Sequence, residues 1–301
     1  MDFFISKLLP ILGYFGAGLI AQRLNWLSPE KGSLLVRISF FYTLPALAFH
    51  SITHTHLSRE IIYLPIAAVV VIAIVTAVAW LYTRTKPMSQ RDKGTLILGS
   101  MSMNAAFAIP FVLLFFGSEA MAYAILFDLG NALVVFTACY FVAFHYGDNA
   151  LPTKQVIVRI FKSPLLHIVS LAIACSLLEW RLPEPYAGAM LSFGSLTGPL
   201  LLLGMGVLFT PKAHHVKPAS LIIGLRMFGG LVAMLLVMPL LDVEDPAIMA
   251  GMVMVAAAPM GMTSLSYGLI SGLDTKLLAS AISISILIGL FWVPLLAWFY
   301  L

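Results

Sequence analysis

Three stretches of this chain set polar side chains or helix breakers into otherwise apolar sequence, and each can do chemistry that leucine and valine cannot. In the first, GSMSMNAAFAIP at 99–110, Pro110 lacks a backbone donor and crowds the preceding turn, which frees carbonyls near the amide of Asn104 and its neighbour Ala105. In the second, AAAPMGMTSLSYG at 256–268, Pro259, Met260 and Gly261 form a helix-breaking Pro-x-Gly unit, while Thr263, Ser264, Ser266 and Tyr267 bring hydroxyls. Unwound backbone at membrane depth is tolerated where it is buried in protein or lines a cavity. The half-helices that such breaks create offer open N-termini, with N–H groups and positive dipole ends, to an anion. The third stretch is FDLGN at 127–131, where Asp128 is the one carboxylate deep in an apolar run and Asn131 shares its helical face. Ionisable groups are expensive there and mark pathways or proton relays, so Asp128 and Asn131 form a candidate coupling pair for H+, with Na+ as the alternative ion. Each stretch also has a plainer reading. Asn104 can hydrogen-bond a neighbouring helix beside a simple proline kink, small residues can serve helix packing, and Asp128 can form a structural hydrogen bond or an ion pair with Arg226.

Helices must hold these stretches, because the chain is too apolar for anything but a membrane. Hydrophobic residues make up 61% and charged residues 10%, against roughly a quarter charged in soluble proteins. Apolar runs at 3–22, 34–52, 61–83, 94–116, 119–144, 163–180, 187–209, 218–240, 247–270 and 275–300 can each cross the bilayer, which needs about 20 residues for roughly 30 Å of hydrocarbon. The fold class is therefore an all-α membrane protein of ten transmembrane helices. The first run has no basic lead-in and no clear small-residue cleavage site, and reads as a retained span in preference to a signal peptide.

The chain also repeats itself. Pro10, Trp26, Pro29, Glu30 and Pro45 recur in order as Pro164, Trp180, Pro183, Glu184 and Pro199, each 154 positions later. Further on the offset slips by one residue, which matches Gly117 and Glu119 with Gly272 and Asp274 and sets Asn104 opposite Pro259. An odd number of spans in each half forces the second copy into the bilayer upside down. This predicts two inverted five-helix repeats, 1–150 and 151–301, joined by a hinge near 145–162 that carries Gly147, Asp148, Asn149 and Pro152. In transporters of that plan the substrate site lies near the midplane, where interrupted helices from the two halves meet. The breaks in the fourth and ninth spans stand at corresponding places.

Of the 17 Lys and Arg, all but Lys7, Arg59 and Arg181 fall on one side of the ten-span arrangement, which places both termini outside. The net charge of +4 then reflects topology and anionic inner-leaflet lipid, with no call for nucleic acid. Cys139 and Cys175 lie in apolar runs and supply neither a disulfide framework nor metal-ligand spacing. His50, His54 and His56 cluster at the outer end of the second span without a carboxylate or cysteine to complete a metal set, and His145, His214 and His215 belong to the inner loops. Arg226, about two turns inside the eighth span, is expected to snorkel to the inner interface. No span carries a nucleophile with a base, a His-Glu-x-x-His or a Walker motif, which argues against an intramembrane enzyme and against direct use of ATP.

The segment LPALAFHSI at 44–52, the Asn104 and Pro110 arrangement, Arg226 after a glycine-leucine pair, and APMG at 258–261 followed by GLDT at 272–275 together resemble the auxin efflux carrier family. The resemblance runs the length of the chain and is to the compact bacterial members with a short central loop. It implies a scaffold from the first, second, sixth and seventh spans, a transport unit whose fourth and ninth spans cross at broken points, and dimerisation through the scaffold. It also implies transport of small organic anions, often carboxylates, across a plasma membrane, the inner membrane in bacteria. Two departures set this chain apart from the plant carriers: Met103 stands where they have a proline before the asparagine, and the third span has no acid. The expected function is secondary active transport by alternating access, in an elevator-like or rocking movement, with no cofactor. Asn104, Ala105, Pro110, Pro259, Met260, Gly261, Thr263 and Tyr267 form the candidate substrate site. A ligand-binding sensor on the same fold is the alternative.

Overall fold

The computed structural model describes residues 2–55, 60–148, 164–209, 216–241 and 243–300. Most of the expected hinge lies outside the described residues, as do His56, His214 and His215. Among the described residues there are helices and no strand: α1 (Asp2–Arg23), α2 (Pro29–His54), α3 (Glu60–Thr85), α4 (Gln90–Met101), α5 (Ala105–Tyr146), α6 (Pro164–Leu177), α7 (Tyr186–Leu208), α8 (Val216–Leu240), α9 (Pro246–Ala256), α10 (Thr263–Ser271) and α11 (Thr275–Trp298). Their starts follow from local chemistry. Ser28, Ser89, Asp245 and Asp274 each accept a backbone N–H of the turn they open, and Pro29 and Pro246 supply a preset φ where the missing donor costs nothing.

The surface is apolar as well as the core. Ile62, Phe141, Leu178 and Phe291 are each at least 66% exposed, an arrangement that suits lipid and would aggregate in water. Six helices among the described residues are long and apolar enough to cross a membrane. That number is smaller than the ten apolar runs, and three of the four differences arise from how the helices are cut. The run 94–116 is cut after Met101, and its second part continues into 119–144 as the 42-residue α5. The run 247–270 is cut into α9 and α10, and only 14 residues of the sixth run form α6.

A straight helix as long as α5 would measure about 63 Å, twice the hydrocarbon core. It is not straight. Gly117, at φ 85° and ψ −172°, interrupts it, and Gly251 of α9 sits against Val112 from one leg and the Ala120 carbonyl from the other.

The helices pack as two groups. In one, α1 lies on α7, and α2 lies on α6 and α7; Gly18 and Gly206 let the backbones of α1 and α7 touch, since a Cβ at either would collide with main chain. The other group gathers α3, α4, α5 and α8–α11, with α5 against both α3 and α9. Within the first group Thr197 Oγ1 is 2.9 Å from Thr43 Oγ1, joining residues 154 positions apart.

Candidate functional site

The centre of the second group is a crossing of two broken helices. Residues 102–104 separate α4 from α5, and residues 257–262 separate α9 from α10. The two breaks pair with each other: Asn104 N donates to Pro259 O and Gly261 N donates to Ser102 O, each at 2.9 Å, around an isolated antiparallel bridge between Met103 and Met260. Met260 N also donates to Ser285 Oγ at 3.2 Å. On the other flank of Met103, the Asn131 amide bonds both of its backbone groups, with Oδ1 accepting from Met103 N at 3.2 Å and Nδ2 donating to Met103 O at 3.3 Å. Asn131 Nδ2 donates in addition to Asp128 Oδ1 at 2.7 Å. Unwound main chain inside hydrocarbon must find partners within the protein, and this cross-strand and side-chain pairing provides them.

A cavity of about 280 Å³ opens beside the crossing. Ser102 to Ala106, Asp128, Asn131, Gly261 and Thr263 form its wall on one side, and Val36, Phe40 and Met205 of α2 and α7 close it on the other. The N-terminal turns of α5 and α10 both reach it, through Ala105 and Thr263. Asn104 caps α5, its Oδ1 accepting from Phe107 N at 3.2 Å. The side chain is only 8% exposed, yet Nδ2 has no hydrogen-bond partner among the described residues. A buried amide donor left in that state costs about 1–3 kcal/mol, which a ligand acceptor in the cavity would recover.

The opposite ends of the half-helices meet Arg226. It does not snorkel to the interface as expected, and it does not pair with Asp128. Its side chain is fully buried, and Nη1 donates to Ser100 O and Met101 O at 3.2 Å while Nη2 donates to Ala256 O. These carbonyls end α4 and α9. The correction has a physical cause: a guanidinium fork can satisfy two helix C-termini at once, and that outweighs a stretch toward the lipid surface.

Among the remaining sequence candidates, Pro110 lies within α5, past the break that it was expected to make. It withholds an N–H from the carbonyl of Ala106, a cavity residue. Pro259 packs against Gly289, and its carbonyl is the acceptor for Asn104. Tyr267 is buried away from the cavity, its ring 6.2 Å from that of Tyr140. His50 and His54 stack at 4.1 Å, and the described residues hold no group of three or more metal-ligating side chains. Sequence reasoning missed the Val36, Phe40 and Met205 wall, which carries no chemical mark. It also missed three π-helical turns, Ser39–Thr43, Val135–Cys139 and Gly224–Phe228, which carry Phe40, Val135 and Arg226 to the crossing.

A family model described as a membrane transport protein matches residues 3–297. The chain belongs to that family, the auxin efflux carriers. Proteins similar to it include an uncharacterized transporter of Methanothermobacter thermautotrophicus, 27% identical over 95% of this chain and 93% of the relative. An uncharacterized transporter of Methanocaldococcus jannaschii is 25% identical over 99% and 97%. In this member of the auxin efflux carrier family, the crossing and its cavity bring Asn104, Asp128, Asn131 and Thr263 together.

Proposed function

We propose that this family member is a secondary transporter of a small organic anion of the carboxylate class, moved together with a proton. The observation that carries this reading is the Asn104 amide, buried and unpartnered at the start of α5. Helix N-termini favour negative charge, and two of them reach one cavity. Its volume of about 280 Å³ is at the small end of ligand pockets and suits a carboxylate of a few carbons. Asp128 lines the same cavity. Two like charges 4 Å apart repel by on the order of 4 kcal/mol at an effective dielectric of 20, so a proton on Asp128 is the simplest way to admit an anion.

The movement follows from the two packing groups. Cavity walls drawn from both suggest that the crossing group shifts against α1, α2, α6 and α7 and exposes the site to each side in turn. Two inverted five-helix repeats, 1–150 and 151–301, account for three observations: α1 on α7 mirrored by α6 on α2, the Thr43 to Thr197 contact across the 154-residue offset, and the reciprocal pair of hydrogen bonds at the crossing. The distribution of Lys and Arg supports an orientation with both termini outside, in a plasma membrane.

The test is uptake of labelled mono- and dicarboxylates into proteoliposomes with and without an imposed pH gradient. We expect saturable uptake driven by protons entering with the anion, at least tenfold weaker in Asn104→Ala. In Asp128→Asn we expect uptake that no longer responds to the gradient. Ligand binding without flux would point instead to a sensor, and unchanged uptake in Asn104→Ala would remove the assigned site.

A further inference from the structure

We infer that the Arg226 guanidinium is the resident cation of the crossing: it fills the carbonyl cage formed by the C-terminal ends of both half-helices, where a sodium-coupled carrier would hold its ion. Substrate movement in this chain is consequently independent of sodium at that position. The inference rests on the transporter reading and on the geometry of the crossing, and is indifferent to the identity of the anion.

The last carbonyls of a helix have no partner within it, and each helix end carries roughly half a negative charge. Two such ends, those of α4 at Met101 and α9 at Ala256, converge inside the hydrocarbon and together present about one elementary negative charge. In transporters built on discontinuous helices, carbonyls of this kind coordinate the coupling cation. Here a tethered unit charge takes that place. Arg226 is 0% exposed, and its hydrogen bonds among the described residues all go to main-chain carbonyls, Ser100 and Met101 from one half-helix and Ala256 from the other. The position is prepared for it. The π turn Gly224–Phe228 carries the residue. At Gly230, where Nη2 meets the Ala256 carbonyl, any Cβ would collide with both groups. A lysine ammonium, a single point of charge, lacks the fork that reaches both ends. The arrangement divides the crossing by sign: the C-terminal ends are neutralised permanently by Arg226, and the N-terminal ends remain open toward Asn104 and the cavity.

The test uses purified full-length protein in the Asp128→Asn background, so that the carbonyl cage is the site under examination. Binding of labelled sodium and Tm in sodium chloride against choline chloride are the readouts, and neither needs a substrate. With Arg226 in place we expect no saturable sodium binding and equal Tm in the two salts. Arg226→Ala should lose several degrees of Tm, bind sodium saturably, and regain stability with sodium or with millimolar guanidinium. Should the alanine variant not fold, Arg226→Gln is expected to respond to sodium and Arg226→Lys to ignore it. Saturable sodium binding with Arg226 present overturns the inference. So does a Tm of the alanine or glutamine variant that is the same in sodium, choline and guanidinium. Failure of the anion reading would show in the uptake assay and leave these measurements untouched.

Discussion

Asn104 does two jobs with the two ends of one amide. Oδ1 caps α5 by accepting from Phe107 N, and Nδ2 is left as a buried donor. The two can be separated, because Asn104→Ser keeps a cap acceptor while removing the amide donor. A good cap is worth about 1 kcal/mol over alanine, and both substitutions remove the same orphaned donor, so thermal unfolding should place Asn104→Ser above Asn104→Ala. Carboxylate uptake should fall at least tenfold in both. A serine variant that transports normally would assign the residue to helix capping alone. Asn131 is a second dual residue, holding both backbone groups of Met103 and bonding Asp128. Asn131→Leu orphans a buried N–H and C=O, at about 1–3 kcal/mol each. We expect it to lower Tm by more than Asn104→Ala does.

Among the elements, both breaks were legible in the sequence, the second at its observed place around Pro259 to Gly261 and the first displaced. A polar amide, two prolines and a run of hydroxyls in apolar sequence cost free energy, so they announced the crossing. The break in the first half, however, falls at 102–104, because pairing with the other break and with Asn131 decides where the helix opens. Pro110 only perturbs the turn before it. The offset that set Asn104 opposite Pro259 agrees with the antiparallel register of the crossing, in which Met103 faces Met260 and Asn104 N donates to Pro259 O. The π turns are invisible to composition, because a widened turn of apolar helix has no residue signature. Gly117 was legible only as one member of a repeat pair, and its backbone can be tested directly. A Cβ there meets nothing within 4 Å, so the cost of Gly117→Ala is conformational, about 1–3 kcal/mol for a residue forced to φ 85°. A lowered Tm with substrate affinity retained is the expected result, and an unchanged Tm would show that α5 can turn without glycine.

For the whole molecule, the question is whether a cavity between two packing groups serves both faces of the membrane. Arg226 ties α4 and α9 to α8, and glycine contacts draw α1 onto α7, so each group is braced within itself. The cavity wall of Val36, Phe40 and Met205 against Asn104 and Thr263 is a boundary between groups, and sliding there would leave both braces intact. The two native cysteines, Cys139 and Cys175, can be replaced by alanine and a single cysteine introduced at Thr263. An impermeant maleimide should then modify it from outside in one population and from inside in another, with a permeating carboxylate shifting the balance between them and slowing the reaction where it occupies the site. Modification from one face only, under every ligand and gradient tried, would describe a fixed binding pocket. A carrier has to show both, because a site that never changes sides can bind an anion but cannot deliver it.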